Sequence, residues 1–479
     1  MWTIQNWTEF IPTVFKALYL ITALGVVLVV VSENRNPLKT ISWVLVLLLL
    51  PFVGLVFYFF FGQNTRKLII ISRRTYRRIM RRPMKYLLPQ VLNEIPEELE
   101  LLVTLNYKNT HAPVLSYNDM EVYTSGDEMF DALKKAICAA KNYIHLQFYI
   151  FNNDKVGREF RDLLVAKAHE GVKVRVLYDD VGNFQIKKSF YREMAEEGIE
   201  VGCYLRVAFP LFTSKVNYRN HRKLTIIDGE IGFIGGMNIA DRYREGLSWG
   251  KWRDTHISFK GAGVQGLQSS FLIDWYTATK TLLSEKEYFP SYKVELSPSL
   301  LQIVPGGPVD RWRSLLQATV LIISRAKHYL YIQTPYLMPT EGINQALQTA
   351  ARSGVDVRVM IPNRCDAFMP GKASKSYVTD LLRAGVKVYL YQEGFLHSKL
   401  IVCDDYISVV GSANMDFRSL EHNFETNAYL YDRDTAIRFK EIFYVDETAC
   451  TKPSYKDWKK RPLRKRFVES VMRLFSPLL

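Results

Sequence analysis

The chain has 479 residues, of which 48% are hydrophobic, 13% aromatic and 23% charged, a composition that excludes a disordered protein and exceeds what one small core needs. Five cysteines, no two in a C-x-x-C spacing, support neither a disulfide scaffold nor a zinc ribbon and suit a reducing, cytosol-facing environment. The formal charge of +15 is concentrated in two segments: Gln63–Asn93 holds nine basic and no acidic residues, and Thr451–Leu479 holds nine basic against two acidic, so the body between them is no basic nucleic-acid platform.

Two apolar runs open the chain, Ile11–Val31 and Ile41–Phe61. Each is long enough to cross a hydrocarbon core of about 30 Å at about 1.5 Å per residue. Lys16 sits near the outer end of the first, where it can snorkel, and the second ends in an aromatic cluster suited to the headgroup boundary. A cleavable signal peptide would need a basic start, whereas Glu9 stands there. The expectation for residues 1–62 is therefore a two-helix transmembrane hairpin. The basic segment that follows, taken as 63–112, places everything after it in the cytoplasm by the positive-inside rule and is attracted to anionic lipid.

The body is duplicated. KNYIHLQFYI from Lys141 matches KHYLYIQTPY from Lys327, and KAHEGVKVRVLYDD from Lys167 matches AARSGVDVRVMIPN from Ala350. EEGIEVGCY from Glu196 matches RAGVKVYLY from Arg383, and a longer block from His221 matches one from His397, in the same order. Asp131–Ala140 and Arg158–Glu170 carry helical periodicity, while Val172–Tyr178, Leu224–Ile227 and Leu400–Cys403 read as buried strands. The expectation is an α/β fold of two similar halves, 113–300 and 301–450, packed about a pseudo-two-fold axis.

The longest matching block carries His-x-Lys-x4-Asp twice: His221, Lys223, Asp228 and His397, Lys399, Asp404. Residues two apart on a strand share a face, so each His and its Lys point the same way. The Asp is at odd spacing, at the strand end, and Asp228-Gly229 is a tight-turn signal, which makes the aspartates fixing residues rather than general bases. Each motif is followed by a small-residue turn and an Asn, Asn238 or Asn414, suited to binding substrate phosphate.

Two His-Lys pairs facing one cleft suit phosphodiester chemistry. One imidazole attacks phosphorus, and the other, of ordinary pKa near ~6.5, protonates the departing alkoxide and deprotonates the incoming alcohol. Lysines and asparagines stabilise the non-bridging oxygens, and no metal or cofactor is called for. His221 is assigned as nucleophile and His397 as acid/base.

At the end of the chain, 451–479 reads as a basic amphipathic tail. Between Pro462 and Pro477 a helix would put Phe467, Val468, Val471, Met472, Leu474 and Phe475 on one face. Arg466, Glu469, Ser470 and Arg473 would lie on the other. Such a helix suits the interface of an anionic membrane, or docking on protein.

HRKLTIIDGEIGFIGGMNIADRY and FLHSKLIVCDDYISVVGSANMDFRSLEHNFE resemble the two motifs of the phospholipase D superfamily, and Asn36–Gly62 is similar to the hairpin of bacterial cardiolipin synthases of that type. The resemblance implies a duplicated phospholipase D-like fold, a histidine nucleophile and conversion of two phosphatidylglycerols into cardiolipin and glycerol at the cell membrane. It also implies a carboxylate after each motif that orients that motif's His, Glu425 in the second half and Asp254, at a longer spacing, in the first. The alternatives are a hydrolase or a transferase using another acceptor, and a non-catalytic protein that binds anionic lipid. A metal-dependent CDP-alcohol phosphatidyltransferase would need a DG-x2-AR motif, which the sequence lacks. The sequence leaves the oligomeric state open.

Overall fold

The computed structural model describes residues 4–32, 37–50, 52–62, 97–206, 218–290 and 299–479, and the basic stretch expected to orient the chain in the membrane lies outside them. The helices before residue 63 form one unit and the body another.

In the N-terminal unit a helix runs from Ile4 to Ser32, and its Pro12–Ser32 part, 21 residues, is the one stretch among the described residues long and apolar enough to cross a bilayer. The second expected span is interrupted. It forms a helix over Pro37–Leu49, a short helix over Val53–Phe57 and a π-helical turn over Tyr58–Gly62, with Phe52 at φ 60° between the first two. A proline at position 51 of the sequence has no N–H to continue the ladder. The Tyr19 hydroxyl donates to the Leu47 carbonyl, and its ring lies 4.9 Å from that of Phe52, so the helices lie side by side.

The body holds two sheets with one plan. In the first, Tyr143–Phe148, Lys173–Asp179 and Glu200–Tyr204 are parallel, linked by the helices Lys155–His169 and Ser189–Glu196. On the other side of Tyr143–Phe148 run Leu224–Ile227, Ile231–Gly235, His256–Lys260 and Asn118–Tyr123, all antiparallel. In the second, Tyr329–Gln333, Asp356–Pro362 and Lys387–Tyr391 repeat the parallel triplet. Leu400–Cys403, Ile407–Gly411, Glu425–Tyr431 and Leu300–Gly306 repeat the antiparallel run. The expected helices appear as Gly126–Ala139 and Lys155–His169, opened by caps in which Ser125 and Asp154 accept from the backbone N–H of Glu128 and Gly157.

One segment changes sides. The helix Glu97–Thr110, which by sequence belongs to the stretch before the halves, buries Leu99, Leu102 and Val103 in the core of the second half, and Asn106 Nδ2 donates to Gln302 Oε1 at 3.3 Å. Leu115–Ser116, within the expected first half, pairs antiparallel with Leu300 and Leu301.

The tail helix, Leu463–Arg473, docks on the helix Phe368–Ala384, and it does so with its polar face. Glu469 is buried and pairs with Arg461 at 2.8 Å, while Arg473 pairs with Asp380 at 2.9 Å and stacks 4.2 Å over the Tyr377 ring. Met472 is packed inward, but Phe467 and Leu474 are 71% and 77% exposed. The periodicity located the two faces. The half-exposed Arg473–Asp380 pair and the Arg473 cation–π contact, with Glu469 buried against the tail's own Arg461, rather than apolar area, decide which face meets the body.

Each motif aspartate stands at its strand end with positive φ, 52° at Asp228 and 50° at Asp404. The Asp228 carboxylate accepts from the backbone N–H groups of Lys141, Asn142 and Tyr143, each at 2.8 Å, and Asp404 accepts from Lys327, His328 and Tyr329 at 2.6, 2.9 and 2.8 Å. Each thus ties the motif strand to the start of the central strand beside it. Hydrogen bonds to a charged acceptor contribute about 1.5–3 kcal/mol. Asp228→Asn or Asp404→Asn should therefore cost about 1–3 kcal/mol, seen as a lower melting temperature, while both limbs of the pH–rate profile stay in place. Loss of one limb with stability intact would assign the carboxylate to proton transfer instead.

Candidate active site

The two motif histidines sit where the halves are stitched together. Gly394–Leu396, directly before His397, pairs in parallel with Lys251–Arg253, directly before Asp254. Asn220, directly before His221, forms a parallel bridge with Phe424, directly before Glu425. The His221 N–H donates to the Phe424 carbonyl at 2.9 Å, and the His397 N–H to that of Arg253 at 2.6 Å.

This stitching crosses the carboxylates over. His221 Nδ1 lies 3.0 and 3.1 Å from the two oxygens of Glu425, and His397 Nδ1 lies 2.6 Å from Asp254 Oδ2. Each imidazole is thus held by the opposite half, whereas the resemblance implied a partner from its own motif. The physical reason is local: the carboxylate follows an extended segment that pairs with the residues preceding the other half's His. An Nδ1–H donated to a carboxylate leaves the Nε2 lone pair free. Both carboxylates are buried, which raises their pKa. For Glu425 the His221 imidazole and the Lys223 ammonium outweigh burial, and for Asp254 Lys399 and His397 do, so both stay below the usual range.

The turns after the motifs serve these carboxylates. A side chain at Gly236 would put its Cβ 2.0 Å from Asp254 Oδ1, so glycine is what admits the carboxylate. At the equivalent place Ser412 Oγ accepts from the Thr426 N–H at 3.0 Å, next to Glu425. The anion approached at Gly236 is therefore the protein's own.

His221, His397, Asn238 and Asn414 line one cleft of about 300 Å³, with Tyr149, Arg219 and Trp252 among its walls. Lys223 and Lys399 lie behind their histidines, each donating to the carbonyl of its own motif His, and Lys399 Nζ is 2.9 Å from His397 Nδ1. Asn238 is engaged, accepting from the Ile150 N–H at 3.1 Å and donating to the Tyr243 hydroxyl at 2.6 Å. Asn414 Nδ2 donates to Asp416 at 3.1 Å, and its oxygen is buried without a partner among the described residues.

Burial, against the pull of Glu425, holds the His221 imidazole below its ordinary pKa. Burial and the Lys399 ammonium bring His397 down to about 3. Burial lowers Lys399 to about 8 and Lys223 well below the usual ammonium range. Near neutral pH both imidazoles are unprotonated, as a nucleophile and a base require, and Lys399 is largely charged. Tyr149 and Trp252 face the two imidazoles at ring distances of 4.8 and 5.2 Å. Neither ring stood out in the sequence, because aromatic residues at such spacing read as core.

This arrangement, two α/β halves each contributing a His and an Asn to one cleft with a Lys behind each His rather than in the cleft wall, is that of the phospholipase D class. A family model described as "Cardiolipin synthase, PLD-like domain" matches residues 133–246 and 320–446, and one described as "Phospholipase_D-nuclease N-terminal" matches 17–63. The cardiolipin synthase of Alkalihalophilus pseudofirmus is 37% identical over 484 residues, covering 99% of this chain and 95% of that protein. The major cardiolipin synthase ClsA of Bacillus subtilis is 38% identical over 473 residues, covering 96% and 98%. A phosphatidylserine synthase of Haemophilus influenzae, 15% identical, shares the fold with a TM-score of 0.59 over 79% of this chain and 98% of that one. The chain belongs to the phospholipase D-like cardiolipin synthase family.

The paired groups set the pH dependence. The acid limb of kcat/KM should fall below pH 6.5, because the pKa of the attacking His221 is lowered, and the alkaline limb near 8, where Lys399 loses its proton. Glu425 favours the imidazolium, so Glu425→Gln should move the His221 limb to still lower pH while reducing kcat by about 10²–10⁴-fold. A limb that stays put in E425Q would show that Glu425 does not govern His221.

Proposed function

We propose that this protein transfers the phosphatidyl group of one phosphatidylglycerol to the terminal hydroxyl of another, releasing glycerol and forming cardiolipin. The observation that carries the reading is the pair of crossed His–carboxylate couples facing one cleft, in a chain collinear with cardiolipin synthases.

In the proposed cycle His221 Nε2 attacks the donor phosphorus while His397 gives a proton to the departing glycerol oxygen. His397 must therefore gain its proton once substrate phosphate is bound, when the second negative charge of the transition state favours imidazolium beside Asp254. The P–O bond to glycerol breaks as the P–N bond to His221 forms. His397 then takes the proton of the acceptor hydroxyl, whose oxygen displaces His221, so the atoms and charge return to their starting state. Asn414 is assigned to the non-bridging oxygens, and Lys223 and Lys399 join it by swinging from the His221 and His397 carbonyls toward the cleft. Asn238 would take that part only by releasing Tyr243.

Purified protein in phosphatidylglycerol vesicles should yield cardiolipin and glycerol in equal amounts, with a chelator causing no loss. His221→Ala and His397→Ala should each lower turnover by about 10³-fold or more, since both steps need both groups. Phosphatidic acid as sole product would instead indicate a hydrolase, and a single mutant that keeps substantial activity would refute the two-histidine cycle.

We further propose that the N-terminal hairpin spans the membrane with the body on the cytoplasmic side, and that the tail helix meets the bilayer. Its polar face is docked, so Leu463, Phe467 and Leu474 are exposed beside Lys459, Lys460, Arg464 and Lys465, the composition of an interfacial helix on anionic lipid. Phe467→Ser with Leu474→Ser should leave the melting temperature within error. It should lower the full chain's activity in dilute anionic vesicles, and high salt should mimic part of the loss. Equal activity in the double variant would leave the stripe without a lipid role.

A further inference from the structure

The segment carrying the first motif alternates its side chains. Asn220 and Arg222 turn away from the cleft and both reach Asp274, at 2.7 and 2.6 Å, whereas Arg219 and His221 line the cleft. Arg219 is 2% exposed, yet Nε, Nη1 and Nη2 are all buried with no hydrogen-bond partner among the described residues. The closest carboxylate in electrostatic terms, Asp179, is occupied otherwise: its oxygens accept from the backbone N–H groups of Val181 and Gly182 at 3.0 Å and of Asn220 at 2.8 Å. A buried guanidinium with five N–H donors and no acceptor costs several kcal/mol unless an anion completes it.

The rest of the wall fits an anion. Arg418 and the amide of Asn423 line the same cleft. The equivalent position of the second half, two residues before His397, is Phe395, whose ring packs 4.8 Å from Trp252. Arg242, 5.0 Å over the Trp252 ring, and Arg418 stand at equivalent spacings after the two histidines, so Arg219 is the cation without a counterpart, an asymmetry that a reaction between two copies of one lipid needs if donor and acceptor are to be told apart.

Resting on the cardiolipin-forming reading above, we propose that Arg219 binds the phosphodiester of the acceptor lipid, as a second anion subsite beside the reacting phosphate. Residues two apart along an extended chain share a face with Cα atoms about 6.6 Å apart, so Arg219 and His221 enter the cleft side by side. The acceptor's phosphorus is joined to the reacting phosphorus through six bonds, those of a three-carbon bridge and its two oxygens, which at about 1.5 Å each span at most about 7 Å. The bridge is flexible enough for the acceptor phosphate to lie beside the reacting one while its hydroxyl stays near His397. A water molecule or a neutral alcohol has no charge to offer this subsite, so Arg219 favours transfer to an anionic acceptor over hydrolysis.

The test separates acceptors while holding the donor constant. Wild type and Arg219→Gln are given vesicles of phosphatidylglycerol diluted in phosphatidylcholine, with ethanol in the aqueous phase, and cardiolipin, phosphatidylethanol and phosphatidic acid are measured. Losing a bidentate charge-assisted contact should lower cardiolipin formation about 10–100-fold, while phosphatidylethanol and phosphatidic acid change less than about twofold. A parallel fall of all three products would place Arg219 on the reacting phosphate, and no change in any would leave it a structural residue; either result overturns the proposal. Should R219Q not fold, the wild type alone decides: glycerol 3-phosphate should exceed glycerol as a soluble acceptor by about tenfold or more in kcat/KM, and equal use would refute the subsite. Failure of the wild type to form any cardiolipin would refute the parent reading, which is a different result from either of these.

Discussion

The crossed pairing of imidazole and carboxylate between the halves is the constraint on which the rest of the body depends. His221 takes its partner from the second half and His397 from the first, and both partners are fully buried. A buried carboxylate is tolerated only when it is paired and hydrogen-bonded, so neither half can bury its own carboxylate without the other half's histidine and lysine. The two sheets are duplicates, but the catalytic couples belong to the interface. A half taken alone would present an unpaired acid in its core and an unanchored imidazole at its surface. Asn423 Nδ2, donating to Glu425 Oε1 at 3.2 Å, and the Thr255 N–H, donating to Asp254 Oδ1 at 2.7 Å, satisfy remaining lone pairs and hold the carboxylates in register.

The same constraint explains residues that otherwise look unremarkable. Gly236 exists because a Cβ would collide with Asp254, and Gly235 because one would lie 2.5 Å from the His256 backbone. The motif aspartates act one step further out. By capping three N–H groups each, they fix the strand end seven residues beyond the histidine and so fix the histidine's register against the opposite half. Histidine, lysine and aspartate thus occupy different ranks: the imidazole lines the cleft, the lysine lies behind it, and the aspartate holds the strand that presents both.

Much of this was legible in the sequence, and the reason is periodicity. Strand parity put His221 with Lys223 and turned Asp228 away, and the repeated order of blocks gave two sheets of one plan. Apolar periodicity placed the ends of the first two body helices to within one residue, but it put their starts at Asp131 and Arg158, late of Gly126 and Lys155, because the capping turns at Ser125 and Asp154 precede the first apolar repeat. Other features depend on pairing across sequence distance, which a local pattern does not carry. Glu425 and Asp254 were found as residues but assigned within their own halves, since nothing local says which imidazole a strand will meet. Likewise the helix Glu97–Thr110 has an ordinary amphipathic pattern that does not name the half it packs on. The tail helix shows the limit of amphipathicity as a guide. Its faces are where the 3.6-residue period puts them, yet Arg473 faces inward, because Asp380 and the Tyr377 ring supply partners that apolar area alone would not predict, and Glu469 is buried with the tail's own Arg461.

Duplication also sets what chemistry the cleft can perform. A symmetric pair of His-Lys sets could hold a symmetric phosphoryl transition state equally well from either side, and the reaction would then be indifferent to the nature of the incoming group. The asymmetries are few and local. Glu425 faces one imidazole and the shorter Asp254 the other; each carboxylate pulls its imidazole upward against burial and a lysine, and Lys399 outranks Asp254 at His397 whereas Glu425 outranks Lys223 at His221. Arg219 stands on one wall, where the other half has Phe395. Each asymmetry is a single side chain placed on a backbone that the two halves share. Direction and selectivity can therefore be built onto a duplicated scaffold without disturbing the crossed pairs that hold it together.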